Sequence, residues 1–281
     1  MRLIVLSAAL LAFSHTAGAA CPSLEDVARF DAEWSAARAV NGFTVDTIED
    51  AVCARDRLVA LRTQRGDRII GYKAALTSDA AQKAFAINAP VTGALFDSML
   101  IPSGSVVSAR FGIRPLWEAD MLLVVKDDGI NRARTPEGAI KHIRAMRPFI
   151  ELPDLVLPDS SLTTAQQFIA INAAARLGVA GPEHPLPKGP KGVRSLAKTT
   201  LIATDETGKI VSEGVGSAML GNPLNAVLFV ARDLASRGQR LKAGDLVSVG
   251  AIRAIAPRAG QRITLCYEGL PQSPSVTVTF N

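Results

Sequence analysis

Residues 114–126 form a long β candidate with the acids Glu118 and Asp120 near its head and the run Met121-Leu122-Leu123-Val124-Val125 at its end. Alternate residues of a strand project to one face, so these two carboxylates stand side by side. Like charges at that spacing repel, and apolar flanks raise the cost of leaving them uncompensated. One acid must take a proton, or a cation must sit between them; hard oxygen donors suit Mg²⁺, Mn²⁺ or Ca²⁺. Glu151, inside Phe149-Ile150-Glu151-Leu152-Pro153, is a third acid in apolar surroundings, expensive there unless paired or metal-bound. Three carboxylates on neighbouring strands would leave octahedral positions for water and substrate. Spacing alone also allows a wet strand face, with the acids paired to arginines such as Arg110 or Arg114.

Around this strand the pattern mixes elements. Leu24, Val27, Phe30, Trp34 and Ala37 recur at helical intervals over 23–40, with Ser23 as N-cap. A second helix is expected from Thr47 to Arg65, closed by Gly66. Strand 68–73 follows, then a short helix over 78–85 and β segments broken by Pro90, Gly93, Pro102 and Gly104. Further helices are expected over 135–145, 162–175 and 222–236, strands over 148–152, 198–204, 209–215 and 245–281, and a Pro/Gly-rich loop over 181–193. Strands and helices without regular βαβ alternation indicate an α+β fold. The organisation read from this pattern is residues 1–20 as a signal peptide, 21–66 as an N-terminal helical segment, and 67–281 as the main β-rich domain.

The leading segment has an export layout: Met1-Arg2, an apolar stretch Leu3–Phe13, and the small-x-small site Ala17-Gly18-Ala19. The expected location is therefore the periplasm or the exterior, with no membrane attachment after cleavage unless Cys21 carries a lipid. Export favours disulfides, and a Cys21–Cys53 bridge would staple the N-terminus to the domain; Cys266, in an alternating run, is expected to be a small buried thiol. A net charge of +5 spread along the chain, with 5% aromatic residues, gives no basic stripe for nucleic acid. No phosphate-binding glycine loop or serine elbow is present.

Several segments together are similar to the 2-oxopent-4-enoate hydratase/fumarylacetoacetate hydrolase superfamily, in its hydratase/decarboxylase branch. They are Gly71-Tyr72-Lys73-Ala74-Ala75-Leu76-Thr77-Ser78, Gly93-Ala94-Leu95-Phe96, Glu118-Ala119-Asp120, Leu220-Gly221-Asn222-Pro223-Leu224-Asn225-Ala226, Ala243-Gly244-Asp245 and Val249-Gly250-Ala251. The resemblance runs from about residue 27 to the C-terminus. It implies a mixed β-sheet roll or barrel of the fumarylacetoacetate hydrolase C-terminal type with flanking helices, and assembly as a homo-oligomer. It also implies Mg²⁺ or Mn²⁺ held by Glu118, Asp120 and Glu151. Lys73 would then bind substrate or shuttle protons, with Leu76 and Asn172 in the substrate site.

The implied activity is that of a metal-dependent lyase, hydratase or decarboxylase, on a short 2-oxo or 2-hydroxydienoic acid. Departures from the family pattern fall at the proton-transfer end. Val91 replaces the hydratases' acid–base aspartate, Ala174 a serine and Val249 a threonine. The alternative that follows is a non-catalytic periplasmic protein binding a 2-oxo acid through the metal. His142 and His184, both expected at the surface, do not supply the water-activating base of the superfamily's C–C hydrolases.

Overall fold

The computed structural model describes residues 21–157 and 164–281; the signal-peptide reading of residues 1–20 lies outside them. The N-terminal layer consists of α1 (Leu24–Ser35) and α2 (Ile48–Gln64). Ser23 Oγ caps α1 by accepting from the Asp26 N–H, and Thr47 with Asp50 forms a reciprocal capping box on α2. Cys21 and Cys53 form a disulfide with 5.5 Å between Cα atoms, tying the start of α1 to the middle of α2.

The remaining elements, in chain order, are β1 (Ile69–Ala75), α3 (Asp79–Ala84), β2 (Val91–Phe96), β3 (Leu100–Pro102), β4 (Val106–Val107), β5 (Trp117–Val125), α4 (Pro136–Ala139), β6 (Ile143–Leu152), α5 (Ala165–Ala170), β7 (Leu177–Ala180) and β8 (His184–Pro185). They continue with α6 (Gly189–Lys198), β9 (Thr200–Thr204), β10 (Ile210–Val215), α7 (Pro223–Ser236), β11 (Leu246–Ser248), β12 (Ala254–Ile255), β13 (Arg262–Glu268) and β14 (Ser275–Phe280). Among the described residues two mixed sheets form. The larger runs β2-β1-β11-β5-β6-β7-β3, with β12 on β5 and β8 on β6; the smaller runs β10-β9-β13-β14-β4. This is the α+β, mixed-sheet architecture with flanking helices expected from the sequence.

β5 is buried along nearly its whole length and divides its side chains between two cores. Met121, Leu123 and Val125 enter the core shared with the smaller sheet and α7. Leu122 and Val124 enter the core beneath α1, α2 and α5. By the same alternation, Glu118 and Asp120 face the helical layer. The site is therefore set between the large sheet and the helices.

Three local readings change. The helix expected over 135–145 gives way to β6 at Ile143, because that segment pairs with β5 along the whole register from Val125↔Ile143 to Glu118↔Glu151. The expected loop over 181–193 contains the start of α6, where Pro190 occupies the first turn and needs no N–H partner. Cys266 is a free thiol, half-buried rather than buried, since it sits on the outer side of the alternating burial of β13.

Candidate active site

Glu118 and Glu151 are direct partners in the β5–β6 register, which brings their two carboxyl groups together on one face of the sheet. Glu118 is half-buried at a cavity wall. Burial, then the neighbouring charge of Glu151, push its pKa up to about 7. Asp120 is fully buried. Its Oδ1 accepts from the backbone N–H of Met121 at 2.6 Å and of Gly250 at 3.1 Å, and its Oδ2 accepts from Ser248 Oγ. Burial and Glu151 raise the Asp120 pKa well above the carboxylate range, against the opposing pull of Ser248 and Met121. Gly250 is required where it stands: its φ is +114°, and a Cβ there would lie 2.0 Å from Thr77 Oγ1.

Lys73 comes from β1 and is buried. Its Nζ lies 2.5 Å from Glu151 Oε1 and donates to the Ala173 carbonyl at 3.0 Å. The contact with Glu151 joins charges without hydrogen-bond alignment, so buried Oε1 is left without a hydrogen-bond partner. Burial alone would lower the lysine pKa; Glu151, Glu118 and Asp120 together hold it above its ordinary value. Lys73 is the cation acting on these acids, in place of the Arg110 or Arg114 pairing that spacing also allowed.

The cavity beside this group has a volume of about 280 Å³. Lys73, Glu118 and Glu151 contribute to its polar wall together with Thr77, Ser78 and Arg253, and Leu76, Phe85 and Phe168 contribute to its apolar wall. The two phenyl rings pack with centroids 5.0 Å apart. Leu76 lines the cavity; Asn172 does not. The Asn172 amide is consumed elsewhere, accepting from the Ala94 N–H at 2.7 Å and donating to the Ala94 carbonyl at 2.9 Å. Its substrate-binding reading therefore becomes a positioning one. Asn172, Ala173 and Ala174 have φ of 57°, 51° and 57°, three successive left-handed residues without glycine. That turn presents the Ala173 carbonyl to Lys73. Gly93 permits its approach, since a Cβ at Gly93 would lie 2.6 Å from the Asn172 carbonyl oxygen.

Val91, at the start of β2, is buried and lies outside the cavity lining, whereas Ala174 lines it. His142 is half-buried against Asp127, at 2.6 Å, and His184 is half-buried too; neither reaches the cavity. Sequence reasoning missed Ser248 and Tyr267. The signal for Ser248 was its place one residue before Val249-Gly250, in a strand that pairs with β5. Nothing local marks Tyr267.

Among the described residues no three His, Cys, Asp or Glu side chains already stand as a metal-ligand group, and the Asp120 carboxylate accepts from Met121, Gly250 and Ser248. The donor chemistry nonetheless suits a hard divalent cation. With all three acids ionised, Lys73 leaves two negative charges uncompensated in a buried site, Glu151 Oε1 lacks a hydrogen-bond partner, and Asp120 Oδ2 keeps a lone pair beyond the Ser248 bond.

Comparison with known proteins gives the same answer as the fold. The chain is 32% identical over 222 residues to 2-keto-4-pentenoate hydratase from Burkholderia vietnamiensis, covering 78% of this chain and 81% of that protein. It is 27% identical over 235 residues to 4-oxalocrotonate decarboxylase from Pseudomonas putida, covering 83% and 86%. The solved structure of 4-oxalocrotonate decarboxylase from Pseudomonas putida, complexed with magnesium and adipate, matches with a TM-score of 0.79 at 26% identity, over 92% of this chain and 97% of that one. No protein-family model matches. The class defined by fold and site is that of the fumarylacetoacetate hydrolase-fold enzymes with a carboxylate-lined cavity. Within it, the chain belongs to the family of 2-keto-4-pentenoate hydratases and 4-oxalocrotonate decarboxylases.

Proposed function

We propose that this protein is a divalent-metal-dependent lyase acting on a short 2-oxo acid, with decarboxylation favoured over hydration. The observation that carries the reading is the group of buried Glu151, Asp120 and Lys73 with half-buried Glu118 beside an apolar-walled cavity of about 280 Å³. Glu118, Asp120 and Glu151 would hold Mg²⁺ or Mn²⁺. When bound, the cation supplies Lewis-acid stabilisation of negative charge developing on the substrate's 2-oxo oxygen.

The chain's own groups do the rest. Lys73 holds a proton at Nζ on the cavity wall, available to a carbanionic carbon or a substrate oxygen. Ser248 orients the Asp120 carboxylate. Leu76, Phe85 and Phe168 exclude water from the substrate's hydrocarbon part. Hydration needs a positioned acid–base to move the C3 proton and activate water. The family's aspartate is absent, and buried Val91 contributes nothing to the cavity. Loss of a carboxylate leaving group as CO₂ asks only for charge stabilisation and one proton delivered afterwards.

The apolar leader, with a disulfide directly after it, supports an exported protein, and we extend the family resemblance to a homo-oligomer. Among the described residues no helix is long and apolar enough to cross a membrane. The deciding experiment incubates the protein and Mn²⁺ with 4-oxalocrotonate and, separately, with 2-hydroxypenta-2,4-dienoate. CO₂ release from the first, with slower loss of ultraviolet absorbance from the second, is the expected result. Turnover of neither, with measurable oxalate binding, would leave a binding protein in place of an enzyme.

A further inference from the structure

A second cavity, of about 660 Å³, lies on the other face of β1. Tyr72 lines it while its neighbour Lys73 points into the acid site, as strand alternation requires. Its walls come from α2, β1, β2 and the segment following α7, and its charge is opposite to that of the acid site.

Four cations line it: Arg55, Arg237, Arg240 and Lys242. Arg55 is 4% exposed. Its Nε donates to Asp56 Oδ1 at 3.0 Å, and its Nη1 donates to Thr92 Oγ1 at 3.1 Å and to the Thr92 carbonyl at 3.2 Å. Its Nη2 lies 2.9 Å from the same Asp56 oxygen but off the hydrogen-bond direction, and has no hydrogen-bond partner. Arg237 Nη2 donates to Asp233 Oδ2 at 2.6 Å and to Thr92 Oγ1 at 3.4 Å, its Nη1 donates to Asp56 Oδ1 at 3.5 Å, and its buried Nε is without a partner. Thr92 Oγ1 donates to the same Asp233 oxygen at 2.7 Å.

Asp56 and Asp233 balance the two arginines, and Asp245, which accepts from the Lys242 N–H at 2.8 Å and acts on Tyr72, is a third acid, so four cations face three acids while two guanidinium nitrogens lack hydrogen-bond partners. Buried guanidinium N–H groups left without acceptors are costly. Arg240 and Lys242 are exposed and add two further positive charges at the rim. We propose that this cavity binds a small dianionic oxyanion, a phosphate or a dicarboxylate, on its side lined by the Arg55 and Arg237 guanidiniums, with Arg240 and Lys242 drawing it in. Planar guanidiniums match the geometry of both groups. The site is separate from the acid-lined cavity and does not depend on the lyase reading.

The test is isothermal titration of the full mature chain with inorganic phosphate and with succinate, each with and without Mg²⁺. The expected result is saturable one-site binding with Kd below about 1 mM, unchanged by the metal. The anion that binds more tightly identifies the ligand's source. The exposed double variant R240A/K242A should weaken binding about fivefold, and R237Q should abolish it; should R237Q not fold, the double variant decides alone. Absence of binding overturns the proposal. So does binding that appears only with Mg²⁺, which would assign the anion to the acid site, or binding that R240A/K242A leaves unchanged.

Discussion

The hydroxyl of Tyr267 stands between two strands it does not belong to, donating to the Asp120 carbonyl and accepting from the Phe149 N–H at 2.9 Å. Asp120 and Phe149 are register partners on β5 and β6, and Tyr267 reaches them from β13 of the other sheet. The smaller sheet is thereby keyed to the backbone of a candidate metal ligand. Tyr267→Phe removes the hydroxyl and strands two buried backbone groups, each costing about 1–3 kcal/mol. Thermal melting should show a loss of roughly 5–10 °C for a chain of this size. An unchanged melt would mean that the strands close up and pair directly.

Ser248 acts on the site through Asp120. Replacing it with alanine removes the bond that turns the carboxylate and should weaken Mn²⁺ binding on the order of 10–100-fold. Calorimetric titration measures this directly. The metal-free melt should fall much less, because a single neutral donor to an acid that itself tends to protonate is lost.

Glu118 and Glu151 repel one another when the metal is absent. Glu118→Gln should therefore leave the metal-free protein as stable as the parent or slightly more so, while removing most of the melting-temperature gain that Mn²⁺ confers. A variant that melts lower without metal and still gains fully with it would assign Glu118 a purely structural place.

Lys73→Met leaves three acids with no cation in a buried setting. Breaking a buried pair in this way costs about 3–5 kcal/mol, so the metal-free melt should drop sharply. Added Mg²⁺ should recover more stability in this variant than in the parent, yet activity should stay lost, separating the lysine's charge from its proton. Equal recovery in both proteins would contradict the charge balance drawn for the site.

The Cys21–Cys53 bridge closes a loop of 32 residues in sequence separation, a length at which a disulfide contributes about 3–4 kcal/mol. Reduction should lower the melting temperature, and intact mass under non-reducing conditions should be two hydrogens lighter than after reduction.

The acids and several helices were legible because each is announced locally, whereas Lys73 came from the family resemblance. Glu118 and Asp120 share a strand face by alternation alone, and Ser23 caps α1 where its side-chain oxygen precedes the apolar periodicity. What escaped depends on partners far along the chain. Residues 143–145 read as the end of a helix until β5 is there to pair with them. Asn172 looked like a ligand-binding amide until Ala94, 78 residues away, took both of its hydrogen bonds. Tyr267 carries no local sign, because its role is defined entirely by two backbones from another sheet.

The left-handed turn at Asn172–Ala174 has a mechanical consequence. Non-glycine residues hold such a conformation at a cost of about 1–3 kcal/mol each, so the turn persists only while the Asn172 amide stays clamped to the edge strand β2. Since the carbonyl gripping Lys73 belongs to that turn, the lysine is moored to the rim of the sheet. Slackening β2 would leave the ammonium held by Glu151 alone, and the protein has in this a route by which events at its periphery reach the proton donor.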